Sequence, residues 1–238
     1  DRLIAPDYVV DIKRIPGLDN ISFDEQNGLT IGACATMNAI GENEAVCMHY
    51  PFLAKAALSV GSRQVRNRAT CIGNICNASP LADTGTPLLA CDAVILAEGP
   101  DGRREIPIRD FFIFVRKTSL KPGEIVTAIR VPYIAGAEGV FTKVARRREV
   151  DLSTVCATVL RCGGEFRFAF GSVAPTPLRL VKTEELVRGK KPDAALIEQA
   201  VELARSEVAP ISDVRASREY RMDIVGLIVR RGLETLAK

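Results

Sequence analysis

The stretch from Gly61 to Asp83 constrains this chain more than any other. It reads Gly-Ser-Arg-Gln-Val-Arg-Asn-Arg-Ala-Thr-Cys-Ile-Gly-Asn-Ile-Cys-Asn-Ala-Ser-Pro-Leu-Ala-Asp. Small and hydrogen-bonding side chains crowd it, and its apolar residues follow neither the helical period nor the alternation of a strand. A loop is expected. Gly73 tolerates unusual dihedrals, and Thr70 and Asn74 are short, so successive backbone N–H groups are open to approach. Such a loop cradles phosphate oxygens, and a later carboxylate such as Asp83 accepts from sugar hydroxyls. A polar loop whose Asn, Thr and Ser side chains only satisfy their own turns has the same composition. Residue types alone leave both readings open. Neither G-x-G-x-x-G nor Gly-Lys-Ser/Thr occurs, which excludes the usual dinucleotide and NTPase fingerprints.

On either side of this stretch the punctuation is ordinary. Val9–Ile12 reads as a short strand, and Ile21–Phe23 with Leu29–Ile31 as a hairpin turning at Asn27-Gly28. Pro51–Leu58, with Pro in the first turn, is an expected helix, as is the apolar segment Thr84–Ala93. Val94–Ala97 enters a turn at Gly99-Pro100-Asp101-Gly102. Ile125–Val131 is a strand, with Ile125, Thr127, Ile129 and Val131 on one face. After Tyr133 a small-residue connector, Ile134–Gly139, opens a new block, and the domain boundary is placed there, giving 1–134 and 135–238. Ser153–Arg161, Gly163-Gly164 and Phe166–Phe170 form a second hairpin signal. Two helices follow, Asp193–Val208 and Ser217–Leu236, the second capped by Ser217 with Ile224, Leu227, Ile228 and Leu233 on one face. The expected class is α+β, strands before helices in the carboxy-terminal block.

Composition adds mainly exclusions. Lys and Arg number 32 against 29 Asp and Glu, a formal charge of +3, which argues for neither nucleic acid nor a membrane surface. Every apolar run is short, so no membrane span is expected, and Asp1–Pro6 lacks the pattern of a signal peptide, so the chain is read as cytoplasmic. The seven cysteines include no C-x-x-C pair. Cys71 and Cys76 have the first spacing of a plant-type iron–sulfur set but no close third cysteine, so buried or partly buried free thiols are expected. The single histidine, His49, reads as a surface or core residue.

Gln64–Asp83 resembles the Q-I-R-N-x-A-T-I/L-G-G-N-I/L-x-x-A-S-P-x-x-D signature of FAD-binding subunits of the molybdenum hydroxylases, the xanthine dehydrogenase and aerobic carbon monoxide dehydrogenase type. Other elements agree in order. Ile31-Gly32-Ala33 with Thr36 is similar to I-G-A-x-T-T, and Pro122–Val126 through Val131-Pro132 to P-x-E-I/L-I/L through I-x-I/V/L-P. Lys143 with Arg147, Arg148 and Asp151 is similar to K-x-x-x-R-x-x-D-F/I/L, Gly171–Pro177 to G-G-V-A-P-T-P, and Ser212–Arg221 to S-D-x-R-A-S-x-x-Y-R.

The resemblance implies an FAD-binding domain of two α+β subdomains, then a small carboxy-terminal domain of antiparallel sheet and helices. It implies a heteromeric, dimerised complex. There, electrons leave a substrate at the molybdopterin centre of a large subunit, cross the 2Fe-2S clusters of a small subunit, and pass through FAD on this subunit to an external acceptor. No metal is expected on this chain. Carried over by position, Thr70, Gly73 and Asn74 contact the pyrophosphate or nearby atoms, with Thr36 in the same cofactor-binding set. Asp83 takes ribityl or ribose hydroxyls, Val60 and Val126 pack near the adenine or isoalloxazine, and Lys143 lies by the flavin's polar edge. From residue type alone Lys143 is a solvated lysine beside Arg146–Arg148. Two departures stand out. Ile72 occupies the place of a motif glycine, so phosphate approach is expected to rely on Gly73 and its neighbours. An upstream A-G-G-T/H-D/S turn is missing, and Asp1–Ile12 resembles the segment that follows it, so the first subdomain is expected to be incomplete. Two other classes compete: a structural subunit that has lost FAD, and a free-standing flavoprotein oxidase.

Overall fold

The computed structural model describes residues 6–237; Asp1–Ala5, the start of the Asp1–Ile12 segment, lie outside the described residues. A hairpin comes first, β1 (Ile21–Asp24) and β2 (Gly28–Gly32). Short helices follow: α1 (Met37–Glu42), α2 (Glu44–His49), α3 (Pro51–Leu58), α4 (Arg63–Arg66), α5 (Cys71–Cys76) and α6 (Gly85–Ala90). Next come β3 (Val94–Gly99), β4 (Gly102–Pro107), α7 (Ile108–Phe111), the small pair β5 (Phe112–Phe114) and β6 (Lys117–Thr118), and β7 (Ile125–Val131). The rest of the chain contributes β8 (Glu138–Val144), β9 (Val155–Cys162), β10 (Glu165–Gly171), β11 (Leu178–Arg179), α8 (Val181–Val187), α9 (Ala194–Glu207) and α10 (Arg218–Leu236). The class is α+β, as the sequence implies.

The first sheet has the order β1-β2-β7-β3-β4, antiparallel throughout. Its first turn is closed by Asp24, whose carboxylate accepts from the N–H groups of Gln26 and Asn27 at 3.0 and 2.7 Å. Gly28 completes it at φ +80°, where an added Cβ would lie 2.2 Å from the Val131 carbonyl oxygen, so no other residue fits. The alternation expected for β7 is broken. A bulge opposite Leu96 and Ala97 leaves Thr127 as the extra residue, its hydroxyl donating to the Leu96 carbonyl at 3.2 Å. The phase therefore shifts, Val126 joins Ile129 and Val131 on the buried face, and Ile125 is exposed.

The second sheet, β11-β10-β9-β8, is also antiparallel. Gly163 and Gly164, at φ +56° and +85°, make the two-residue turn between β9 and β10 that the Gly-Gly pair signals. Both faces of β9 are covered. Cys156 and Leu160 join the core of the first sheet and its helices, whereas Val155, Ala157 and Val159 join a second core with α8, α9 and α10. Each fully buried aliphatic or aromatic side chain here stabilises the fold by roughly 1.5–3 kcal/mol. Close approach of α10 depends on Gly232, where a Cβ would come within 2.7 Å of the Val159 side chain.

Several expectations are corrected. Val9–Ile12 is not a strand: Val9 and Val10 are exposed, and with no neighbouring strand a β run has nothing to satisfy its ladder. The Gly61–Asp83 stretch is not a continuous loop, because α4 and α5 form within it. Both are too short for periodicity to reveal, yet each is capped, by Ser62 and Thr70. On α10 the buried stripe runs through Val225, Ile228, Val229, Leu233 and Leu236, and Leu227 faces solvent. The thiols are free, and Cys47 is exposed rather than buried.

Candidate functional site

Two helix starts meet at the centre of the first half. Thr36 caps α1, its hydroxyl accepting from the Ala39 N–H at 3.1 Å, and Thr70 caps α5, accepting from the Gly73 N–H at 2.9 Å. An antiparallel bridge joins Thr36 to Thr70, with the Met37 N–H donating to the Ala69 carbonyl at 2.8 Å. Ile72 turns its side chain into the core, 6% exposed, so the residue that departs from the motif does not obstruct the outer side of the turn. Gly73 is exposed there.

From α5 a chain of contacts leads to the carboxy-terminal sheet. Asn74 accepts a hydrogen bond from the buried Thr84 hydroxyl at 2.7 Å. Asp83, next to Thr84, is buried and pairs with Lys143 of β8, Nζ to Oδ2, at 2.6 Å. The Ser153 hydroxyl donates to its other oxygen at 2.5 Å, and the buried Cys156 thiol lies near the carboxylate. Burial pushes the Asp83 carboxyl above the usual carboxylate range, against the opposing pull of the Lys143 charge and these donors. The Cys156 thiol is pushed far up by burial and by Asp83 itself, which makes it an inert donor.

Lys143 also donates to the Ser59 carbonyl at 2.9 Å, so it ties α3's carboxy-terminal end to β8. It lines a cleft of about 820 Å³ between residues 58–66 and 143–150, whose walls carry Arg63, Arg66 and Arg146–Arg148 against the single carboxylate of Glu149. Gly61, at φ +50°, forms the turn on one wall. Arg66 clamps that turn by donating to the carbonyls of Val60 and Gly61 at 3.1 and 3.2 Å, and to Asn38 at 3.0 Å. A positive cleft of this size suits an anionic cofactor.

Seven of the eight expected site residues fall into two linked groups. Thr36, Thr70, Gly73 and Asn74 surround the joined helix starts, and Asp83 and Lys143 form the ion pair at the cleft, with Val60 adjoining Ser59 at its edge. Val126 is 5% exposed inside the first core. The residues that sequence reasoning missed are Arg66, Asn38, Ser153 and Arg221. Arg66 and Arg221 stood inside recognised motifs, but only the fold reveals what they hold. Arg221, 2% exposed, donates to the carbonyls of Thr154 and Ser172 and pairs with Asp213 at 2.7 Å. No group of His, Cys, Asp or Glu among the described residues could hold a metal ion, and no described helix is long and apolar enough to cross a membrane.

The chain as a whole is similar to known proteins. Residues 1–134 match the family model for the FAD binding domain in molybdopterin dehydrogenase, and residues 141–236 that for the CO dehydrogenase flavoprotein C-terminal domain. The chain is 32% identical to the glyceraldehyde dehydrogenase medium chain of Sulfolobus acidocaldarius, over 99% of this chain and 85% of that protein. It is 33% identical to the carbon monoxide dehydrogenase medium chain of Hydrogenophaga pseudoflava, over 98% and 82%. Its structure superposes on reconstituted CO dehydrogenase from Oligotropha carboxidovorans with a TM-score of 0.92 at 29% identity, covering 99% of this chain and 84% of that one. The exposed Gly73 beside two capped helix starts and the cationic cleft beyond are chemistry that a flavin dinucleotide fits. The chain belongs to the family of FAD-binding subunits of molybdopterin-dependent dehydrogenases.

Proposed function

We propose that this chain is the electron-transfer subunit of a molybdopterin-containing hydroxylase or dehydrogenase complex. It receives electrons from the 2Fe-2S clusters of a small subunit, which in turn draws on a molybdopterin large subunit, and delivers them to an external acceptor. The assembly is heteromeric, dimerised and cytoplasmic. Bound FAD supplies the redox carrier. The observation that carries the reading is the buried Asp83–Lys143 pair beneath the positive cleft, because it fixes a cation where an anionic cofactor is received.

The roles of the chain's own residues follow. Thr36 and Thr70 set the two helix starts, so backbone N–H groups and the open surface of Gly73 face the pyrophosphate. Asn74 keeps α5 against Thr84. Asp83 already accepts from Lys143 and Ser153, so any bond from a sugar hydroxyl uses its remaining lone-pair capacity. Lys143 holds its positive charge near the flavin's polar edge, which favours added electron density there. Val60 and Val126 supply apolar packing. Residues 1–134 form the FAD-binding domain and 135–238 the carboxy-terminal domain.

The test is an absorption spectrum of the purified chain, alone and with its partner subunits, before and after acid release of any chromophore. Stoichiometric flavin bleached by reductant is the expected result. A colourless chain that still assembles with its partners and takes up no added FAD overturns the electron-transfer role and leaves a structural subunit.

A further inference from the structure

An ammonium group has three N–H bonds, and two of those on Lys143 are spent inside the protein, on Asp83 Oδ2 at 2.6 Å and the Ser59 carbonyl at 2.9 Å. The third is left for an occupant of the cleft that Lys143 lines. Its direction is set by the other two, so it depends on how firmly Asp83 is held. Asp83 Oδ1 accepts from the Ser153 hydroxyl at 2.5 Å. Ser153 is fully buried, just before β9, and is not among the residues lining the cleft. It is fixed in turn: its carbonyl accepts from the Ser172 hydroxyl at 3.2 Å, and the neighbouring Thr154 carbonyl from Arg221 at 2.6 Å. We infer that Ser153 is a positioning residue, which through Asp83 fixes the direction in which Lys143 presents its ammonium group to an anionic cofactor. This rests on the FAD role proposed above.

The groups facing the Asp83 carboxylate are Lys143, Ser153 and Cys156. Burial already favours its protonated form, and the Ser153 hydroxyl is one of the bonds that oppose this. Removing that hydroxyl makes Asp83 take up a proton more readily, and a neutral Asp83 no longer holds the ammonium group in place.

The experiment compares the parent complex with Ser153→Ala and Ser153→Cys, the second keeping volume and a weaker donor. In flavin-free complex, acetylation of Lys143 by acetic anhydride, read by mass spectrometry relative to the exposed Lys55, rises about fivefold in Ser153→Ala, with Ser153→Cys between. In the loaded complex, Ser153→Ala retains flavin and its midpoint potential falls by about 30 mV, a tenfold change for a two-electron couple. Unchanged Lys143 labelling in both variants overturns the inference, and so does an unchanged potential in a loaded variant. If Ser153→Ala fails to fold, the Ser153→Cys comparison decides alone. Altered labelling in a chain that binds no flavin supports the Ser153 role and overturns the FAD reading only.

Discussion

Lys143 and Asp83 stand 60 residues apart and meet because β8 runs alongside the end of α3. Their side chains are only 15% and 7% exposed, so removing one partner leaves the other in a medium that solvates charge poorly. Lys143→Met is expected to destabilise the protein by about 3 kcal/mol in urea unfolding. The sign of its pH dependence follows from Asp83. A carboxyl whose folded pKa is raised destabilises the fold in its charged form, so the defect is fullest above that pKa and shrinks as acid restores the proton. The variant's deficit at about pH 8 should therefore exceed that at about pH 5. Asp213 behaves oppositely. Burial pushes its carboxyl up, but the N–H groups of Arg215 and Ala216 and the Arg221 guanidinium outweigh this and hold it at about 2. Its contribution is present above the ordinary value of 3.8 and is lost as pH falls toward about 2. Asp213→Asn should remove a contribution on the order of 1 kcal/mol from that acid limb, discounted for its solvent exposure, as acid titration followed by circular dichroism would show.

At the scale of elements, α5 is the informative case. Thr70 satisfies the Gly73 N–H, so Thr70→Ala should cost about 1 kcal/mol of stability in urea unfolding and loosen the bridge to Thr36. Elements whose signals are local were legible in the sequence: Pro51 opening α3, Gly163-Gly164 turning β9 into β10, the helical spacing of α9, and Ser217 capping α10. Elements decided by distant partners were not. The Thr127 bulge depends on how Leu96 and Ala97 lie against β7, and Val9–Ile12 has strand-like residues but no strand to pair with. The candidate site divides in the same way. Residue types and motif order pointed to Thr70, Gly73, Asp83 and Lys143, whereas the Asp83–Lys143 contact and its Ser153 support arise only when β8 and β9 close over α3 and α6, and the Arg66 clamp only when α4 packs beside α1.

Across the whole molecule the two halves share β9. Cys156 and Leu160 belong to one core, Val155 and Val159 to the other, and the hydroxyls of Thr86 and Thr158 are hydrogen-bonded at 3.1 Å across the seam. Neither core is complete without that strand, so urea unfolding monitored by far-ultraviolet circular dichroism and by tyrosine fluorescence should give coincident single transitions. Two separated midpoints would mean that the halves fold independently. A builder of chimaeras meets the same strand as a constraint on cutting and joining. A carboxy-terminal block taken from a relative would bring its own version of the strand face that packs on α6, so the graft would need matching changes in that helix before it could fold.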